Sequence, residues 1–311
     1  MTDRTDRILA IIAVLLLAGA PFMPQWLAFS VTLALARGLV VLGLVLLMRS
    51  GLVSFGQGLY YCLGAYSAAL LERAAGTNDA ALMLLVAVLV PAGIALVLGF
   101  LLASYRGIFF AMLSMAFSMI VFGLLIKTSA LGSSDGFNVA SKSMFGVAIT
   151  GGYGGRVFLA ATVILSFVAA VALHRYVNSH LGRLSAAIRD NELRVEYLGA
   201  SVRNVVHFNY VIAAALGGAG GGLTAIAVGH IDPDMAYWTT SGEFVFVAVL
   251  SGTHSVLAPF FGSLIFEAIR TLANQYAPNV WQMTLGLAML AIIMFLPDGL
   301  WSLFRRRARA A

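Results

Sequence analysis

Charge is scarce in this chain. Only 10% of its 311 residues are Asp, Glu, Lys or Arg, against about 25% in soluble domains, so a soluble globular protein is excluded. Lysine occurs twice, at Lys127 and Lys142, each after a residue other than glycine. No G-x-x-x-x-G-K-[ST] loop therefore exists, and the chain cannot bind ATP through a P-loop of its own. Cysteine occurs once, at Cys62 within a hydrophobic stretch, which excludes an intrachain disulfide and a thiolate metal cluster. The five histidines are scattered and no H-E-x-x-H occurs, so no metal site is expected. Residues 132–136, GSSDG, match G-x-S-x-G with Ser134 central. No strand pattern precedes them and no helix pattern follows, so they read as an external turn, and no catalytic residue is expected.

What is abundant is apolar. Hydrophobic residues make up 61% of the chain and mean hydropathy is +0.95. Runs of about 20 apolar residues recur from end to end, each long enough to cross a bilayer as a helix. The pattern predicts an all-α polytopic membrane protein, a single transmembrane domain over residues 1–311, with about ten spans, some broken. They fall at 8–20, 26–48, 49–71, 80–103, 108–126, 157–173 and 205–228, at two crossings within 243–272, and at 281–296. Ala18-Gly19-Ala20 resembles a signal-peptidase site, but Pro21 follows and the apolar run continues, so an uncleaved first span is expected. The 32 glycines suit close helix contact and breaks in spans. Gly51, Gly56, Gly58 and Gly64 crowd the third span and predict a broken helix that exposes backbone groups, with Gln57, Tyr60 and Tyr61 nearby. Gly217, Gly218 and Gly220 to Gly222 leave one patch of the seventh almost free of side chains. Pro91 predicts a kink in the fourth. Arg37 sits mid-span and must face protein, water or a partner, while Glu243 and Glu267 are intramembrane candidates.

The charges orient the model. With both termini cytoplasmic, 13 of the 19 Lys and Arg lie inside. Five lie outside: Arg73, Lys127, Lys142, Arg156 and Arg270. Such a split follows the positive-inside rule. It also places the strongly charged 182–204 segment in the cytoplasm. Leu184, Ala187 and Ile188 give one short helix an apolar face, Asn191 can cap a second, and Gly199 can stop it. Two roles fit: a helix lying on lipid headgroups, or a coupling helix docked on a cytoplasmic ATPase.

Four stretches carry a family resemblance: RSGLVSFGQGLYYCLGAYSAALL from Arg49; YRGIFFAMLSMAFSMI from Tyr105, with GSSDGF after it; LGRLSAAIRDNELRVEYLGASV from Leu181; and SGTHSVLAPFFGSL from Ser251 on to FLPDGLWSLF. Together they resemble the M-type permease subunits of branched-chain amino acid ABC importers over most of the chain beyond about residue 40. The third stretch is similar to the family's ATPase-contacting loop. Carried over, it assigns coupling to Leu184, Ser185, Ala187, Ile188, Arg189, Asp190, Asn191, Glu192 and Gly199. The resemblance implies half of a heterodimeric pathway in a bacterial inner membrane. A paralogous permease, two cytoplasmic ATPases that bind ATP and Mg, and a periplasmic binding protein would complete it. The chain itself would bind no cofactor or nucleic acid and would not be an enzyme. Gln57 stands where the family often has histidine, and the 251–256 turn holds fewer glycines than usual; both bear on substrate and gate. The alternative is an ATP-independent secondary transporter or channel, which would use the broken helices equally but would not need the 182–204 segment.

Overall fold

The computed structural model describes residues 4–76, 78–139, 143–144, 147–149, 152–253 and 255–276, and beyond them 283, 285–287, 290–291 and 294. The helices are α1 (Arg4–Gly19), α2 (Gln25–Arg49), α3 (Gln57–Ala75), α4 (Ala80–Leu102), α5 (Gly107–Lys127), α6 (Gly152–Asn178), α7 (His180–Asp190), α8 (Glu192–Tyr197), α9 (Val202–Val228), α10 (Trp238–Ser251) and α11 (Ala258–Tyr276). Four two-residue strands, β1 (Phe137–Asn138), β2 (Ser143–Met144), β3 (Val147–Ala148) and β4 (His230–Ile231), form the antiparallel pairs β1–β4 and β2–β3. This is an all-α, multi-pass membrane fold. Among the described residues, six helical segments are long and apolar enough to cross a membrane: α1 with the turn that continues it (Thr5–Phe22), α2, α4, α5, α6 and α9.

The ten-span expectation differs here in three places. The third span does not start at Arg49, because α2 runs to that residue and α3 starts only at Gln57. The turn at 252–257 does divide two helices, but α10 has 14 residues, about 21 Å at 1.5 Å per residue. That is short of a hydrocarbon core of about 30 Å, so α10 alone is not a full crossing. Arg270, placed in an outside loop by the charge count, lies within α11 and reaches Glu243. Of the expected last span at 281–296 only 283, 285–287, 290–291 and 294 are described, all of them helical, and His254, Lys142 and the arginines of the basic tail fall outside the described residues.

α9 is the hub. It packs against α2, α3 and α4, and its glycine patch explains how three helices reach it at once. A Cβ on Gly220 would strike the Ala36 carbonyl of α2, one on Gly221 the Tyr61 carbonyl of α3, and one on Gly218 the Ala87 carbonyl of α4. In α4, Pro91 lacks the N–H that would bond the carbonyl four residues earlier, which is that of Ala87. The released carbonyl therefore faces the one residue type that lets another backbone come so close. α4 is continuous through Pro91. Gly229, at φ +78°, ends α9 in the left-handed conformation. The chain then enters β4, whose pairing with β1 ties the 128–139 loop to this end of the bundle. Arg73 holds the same loop from α3, donating to the Ala130 carbonyl at 3.1 Å.

Candidate functional site

The 182–204 segment folds as two short helices on the bundle end where α2 finishes and α9 starts. The Ser179 hydroxyl accepts from Gly182 N–H at 3.4 Å and starts α7. The Asn191 side chain accepts from Arg194 N–H at 3.0 Å and starts α8. Gly199, at φ +84°, makes the turn that follows. The two faces of this hairpin differ. Ser185 and Ile188 are fully buried, with Leu184 and Ala187 half-buried beside them, all against this chain's own core. These four were expected on a partner; the structure turns them inward, because α7 needs its apolar stripe to dock on the bundle. The outward face carries Arg189, Asp190, Asn191, Arg194 and Gly199, together with Leu193, Tyr197 and Leu198, all exposed. Glu192 is half-buried and takes a 2.7 Å charged hydrogen bond from Arg106, at the turn between α4 and α5.

Asn209 of α9 fastens the hairpin. Fully buried, it donates to the Ser50 hydroxyl at 2.9 Å and the Ser185 hydroxyl at 2.8 Å, and accepts from the Tyr176 hydroxyl at 2.6 Å. One amide thus joins α9, α7, α6 and the end of α2. The Arg106–Glu192 pair is a lesser clasp, since both side chains are partly exposed. Glu192→Gln should therefore lower stability by no more than about 1 kcal/mol, read as an unchanged thermal midpoint of the purified permease within a few degrees.

The glycine-crowded segment behaves as a break in the bundle. From Ser50, beside Asn209, the backbone runs without helix to Gly56 and buries Leu52, Ser54 and Gly56. α3 then starts at Gln57, next to Gly217, just past the middle of the 27-residue α9. Irregular backbone at such a depth survives only where protein satisfies it. Phe55 N–H donates to Ser114 at 3.2 Å, Gly56 N–H to Ser54 at 3.2 Å, and Gly58 N–H to Ser241 at 2.9 Å. The Gln57 side chain is the exception: it is fully buried and, among the described residues, neither its oxygen nor its nitrogen has a partner. Leaving a buried amide without a protein partner costs free energy. The structure brings Gly56, Gln57 and Gly58 together and separates the other pathway candidates. Gly51, at φ +76°, lies against Arg189 of α7. Tyr60 donates to the Tyr210 hydroxyl at 2.8 Å in the core. Tyr61 faces Phe244 and Arg37.

Arg37, the mid-span cation, meets Glu267 at 3.3 Å and Glu243 at 3.8 Å, and lies over the Phe266 ring at 5.6 Å. Read singly, these were three unrelated oddities. The signal that joins them is neutralisation: one arginine and two glutamates inside apolar runs of a charge-poor chain must pair with one another. Asn209 gave a similar signal, an amide within the apolar 205–228 run.

A family model described as branched-chain amino acid transport system / permease component matches residues 26–295. The chain is 29% identical to the high-affinity branched-chain amino acid transport system permease protein LivM of Escherichia coli, over 96% of this chain and 75% of that one. It is 28% identical to LivM of Salmonella typhimurium, over 86% of this chain and 68% of the other. A probable branched-chain amino acid transport permease LivM of Methanocaldococcus jannaschii is 26% identical over 57% of this chain and 55% of its own length. No solved structure matches. With nine-tenths of its helical bundle inside the matched stretch, the chain belongs to the family of branched-chain amino acid ABC transporter permeases of the LivM type.

Proposed function

We propose that this chain is half of the translocation pathway of a binding-protein-dependent importer for branched-chain amino acids or related small amino acids, amides or carboxylates. A paralogous permease forms the other half. Two cytoplasmic ATPases bind ATP and Mg and perform the hydrolysis, and a periplasmic binding protein delivers substrate. The membrane is a bacterial inner membrane, with both termini and the α7–α8 hairpin on its cytoplasmic side.

The observation that carries this reading is the two-sidedness of the hairpin. An inward face is locked to three other elements through Asn209 and Ser185, and an outward face offers charge and exposed apolar groups to a partner. A helix resting on lipid needs the outward face but not the lock. In this reading the ATPases close on ATP and displace α7. Gly51, packed on Arg189, passes the displacement to the 50–56 segment, which ends at Gln57 at mid-depth. α2, α6 and α9 follow as a packed body through the Asn209 junction.

Arg189→Glu tests it. Arg189 is exposed at the end of α7, so its reversal leaves the bundle intact. Against a docked partner a reversed charge costs several kcal/mol, whereas on a solvated face the effect is about 0–1 kcal/mol. The expected result is an inserted permease that co-purifies with less ATPase and loses uptake and stimulated ATP hydrolysis together. Wild-type yield and stimulation would remove the docking role. Uptake by the permeases without any ATPase would return the chain to the secondary-transporter reading.

A further inference from the structure

Arg37 is the thirteenth of the 25 residues of α2, so it lies about 18 Å from either end of a membrane-crossing helix. The groups that touch it share its depth. Glu267 Oε2 is 3.3 Å from Arg37 Nη1; Glu243 Oε2 is 3.8 Å from the same nitrogen and 4.0 Å from Arg270 Nη1. Glu267, Arg37, Glu243 and Arg270 therefore form a row of alternating charge with no net charge. The row runs from the inside of the chain to its surface: the Glu267 and Arg37 side chains are 9% and 14% exposed, those of Glu243 and Arg270 26% and 28%.

A surface at mid-span depth faces lipid, a partner or a water-filled path. Charge against lipid is costly there, and ionisable groups within spans mark substrate routes. The row also adjoins the pathway segment, because Tyr61 of α3 lies beside Arg37, and Ser241, two residues before Glu243, receives Gly58 N–H. We propose that the Glu243–Arg270 end of this row is a station for a zwitterionic amino acid in the pathway, with Glu243 receiving the α-ammonium group and Arg270 the α-carboxylate. The proposal rests on the amino acid importer reading above. The two side chains are only loosely engaged with each other at 4.0 Å, since a committed charge-assisted hydrogen bond closes to about 2.7–2.9 Å. An α-amino acid carries its two charges on one carbon, so it continues the alternation of the row. The row stays neutral with and without the guest, and neither arrival nor departure strands a buried charge. A site that must be left as readily as entered needs that property. Phe246, one turn along α10 from Glu243, is exposed and gives the aliphatic side chain an apolar neighbour. Arg37 is a positioning residue in this scheme: it holds the Glu243 carboxylate from behind while Glu267 balances it.

The test uses the complete importer in proteoliposomes, with labelled leucine as the probe. Glu243→Gln and Arg270→Gln each remove one of the two recognising charges at a quarter-exposed position. Each should lower uptake by about tenfold or more, the loss of a hydrogen bond to a charged group, while complex yield and binding-protein-stimulated ATP hydrolysis stay within about twofold. Arg270→Lys keeps a cation and should recover most of the uptake. Uptake within about twofold of wild type in either glutamine variant overturns the proposal. So does a parallel fall of uptake, hydrolysis and complex yield, which would make the row a clamp between helices or subunits. A wild-type complex that hydrolyses ATP but imports no amino acid would remove the function reading itself, an outcome separate from either.

Discussion

Asn209→Leu should uncouple the transporter while leaving most of its bundle in place. Leucine shares the branched shape of asparagine but is bulkier, so the fully buried position stays filled at the cost of some overpacking. What disappears is three hydrogen bonds, to Ser50, Ser185 and Tyr176. At about 1 kcal/mol each, with more where a buried partner is left unsatisfied, the loss is roughly 3 kcal/mol. Ser185 retains a second acceptor, the Leu181 carbonyl at 3.1 Å, so α7 itself stays helical. The hairpin then keeps its outward face and still engages the ATPases, but nothing stiff connects that face to α9 and α6. ATP hydrolysis stimulated by the binding protein should continue, while uptake per ATP falls by about tenfold. The measurement is simultaneous uptake and hydrolysis in reconstituted vesicles. An unchanged ratio would show that the hairpin transmits through Gly51 or the Arg106–Glu192 clasp instead.

The sequence carried the existence of most helices, because 20-residue apolar runs have few alternative structures. It also carried the two short helices within 182–204, through Asn191 as a cap and Gly199 as a stop, although the Ser179 cap that starts the first was not read. Which face of α7 looks inward was not legible. Leu184, Ala187 and Ile188 make a stripe, but a stripe does not say whether it meets its own chain or another. Asn209 decides that, 21 residues beyond Ile188 in the chain. The start of α3 was legible only as trouble: four glycines announce a break, yet its depth depends on Ser114, Gly217 and Ser241, far away in sequence. The charged row failed for a related reason. Arg37 lies more than two hundred residues before Glu243 and Glu267 in the chain, and periodicity says nothing about pairs that distant.

Gly221→Val should have the largest structural effect of any single change in the bundle. A Cβ at this position would overlap the Tyr61 carbonyl and come to 3.1 Å of Ala65 N. Both are α3 backbone, so no side chain can rotate away, and α3 must leave α9. α9 cannot retreat either. Gly220 holds it on the Ala36 carbonyl of α2 and Gly218 on the Ala87 carbonyl of α4. Overpacking in well-filled cores costs about 1–3 kcal/mol where neighbours can adjust; here three backbones oppose adjustment, so the upper end or beyond is expected. Apolar burial does not compensate, since lipid solvates valine as well as protein does and helix association relies on close packing. The single thiol supplies the readout. Cys62 follows Tyr61 directly, is fully buried and is unpaired, so it should resist maleimide in the wild type. In Gly221→Val it should label within the time of a folding assay, with most of the protein lost from the monodisperse fraction. Gly93→Ala in α4, with no atom within 4 Å of its added Cβ, is the control and should label no faster than wild type. Slow labelling and normal yield in Gly221→Val would mean that α3 does not pack on the α9 glycine face, and the arrangement that places Gln57 at mid-depth would fall with it.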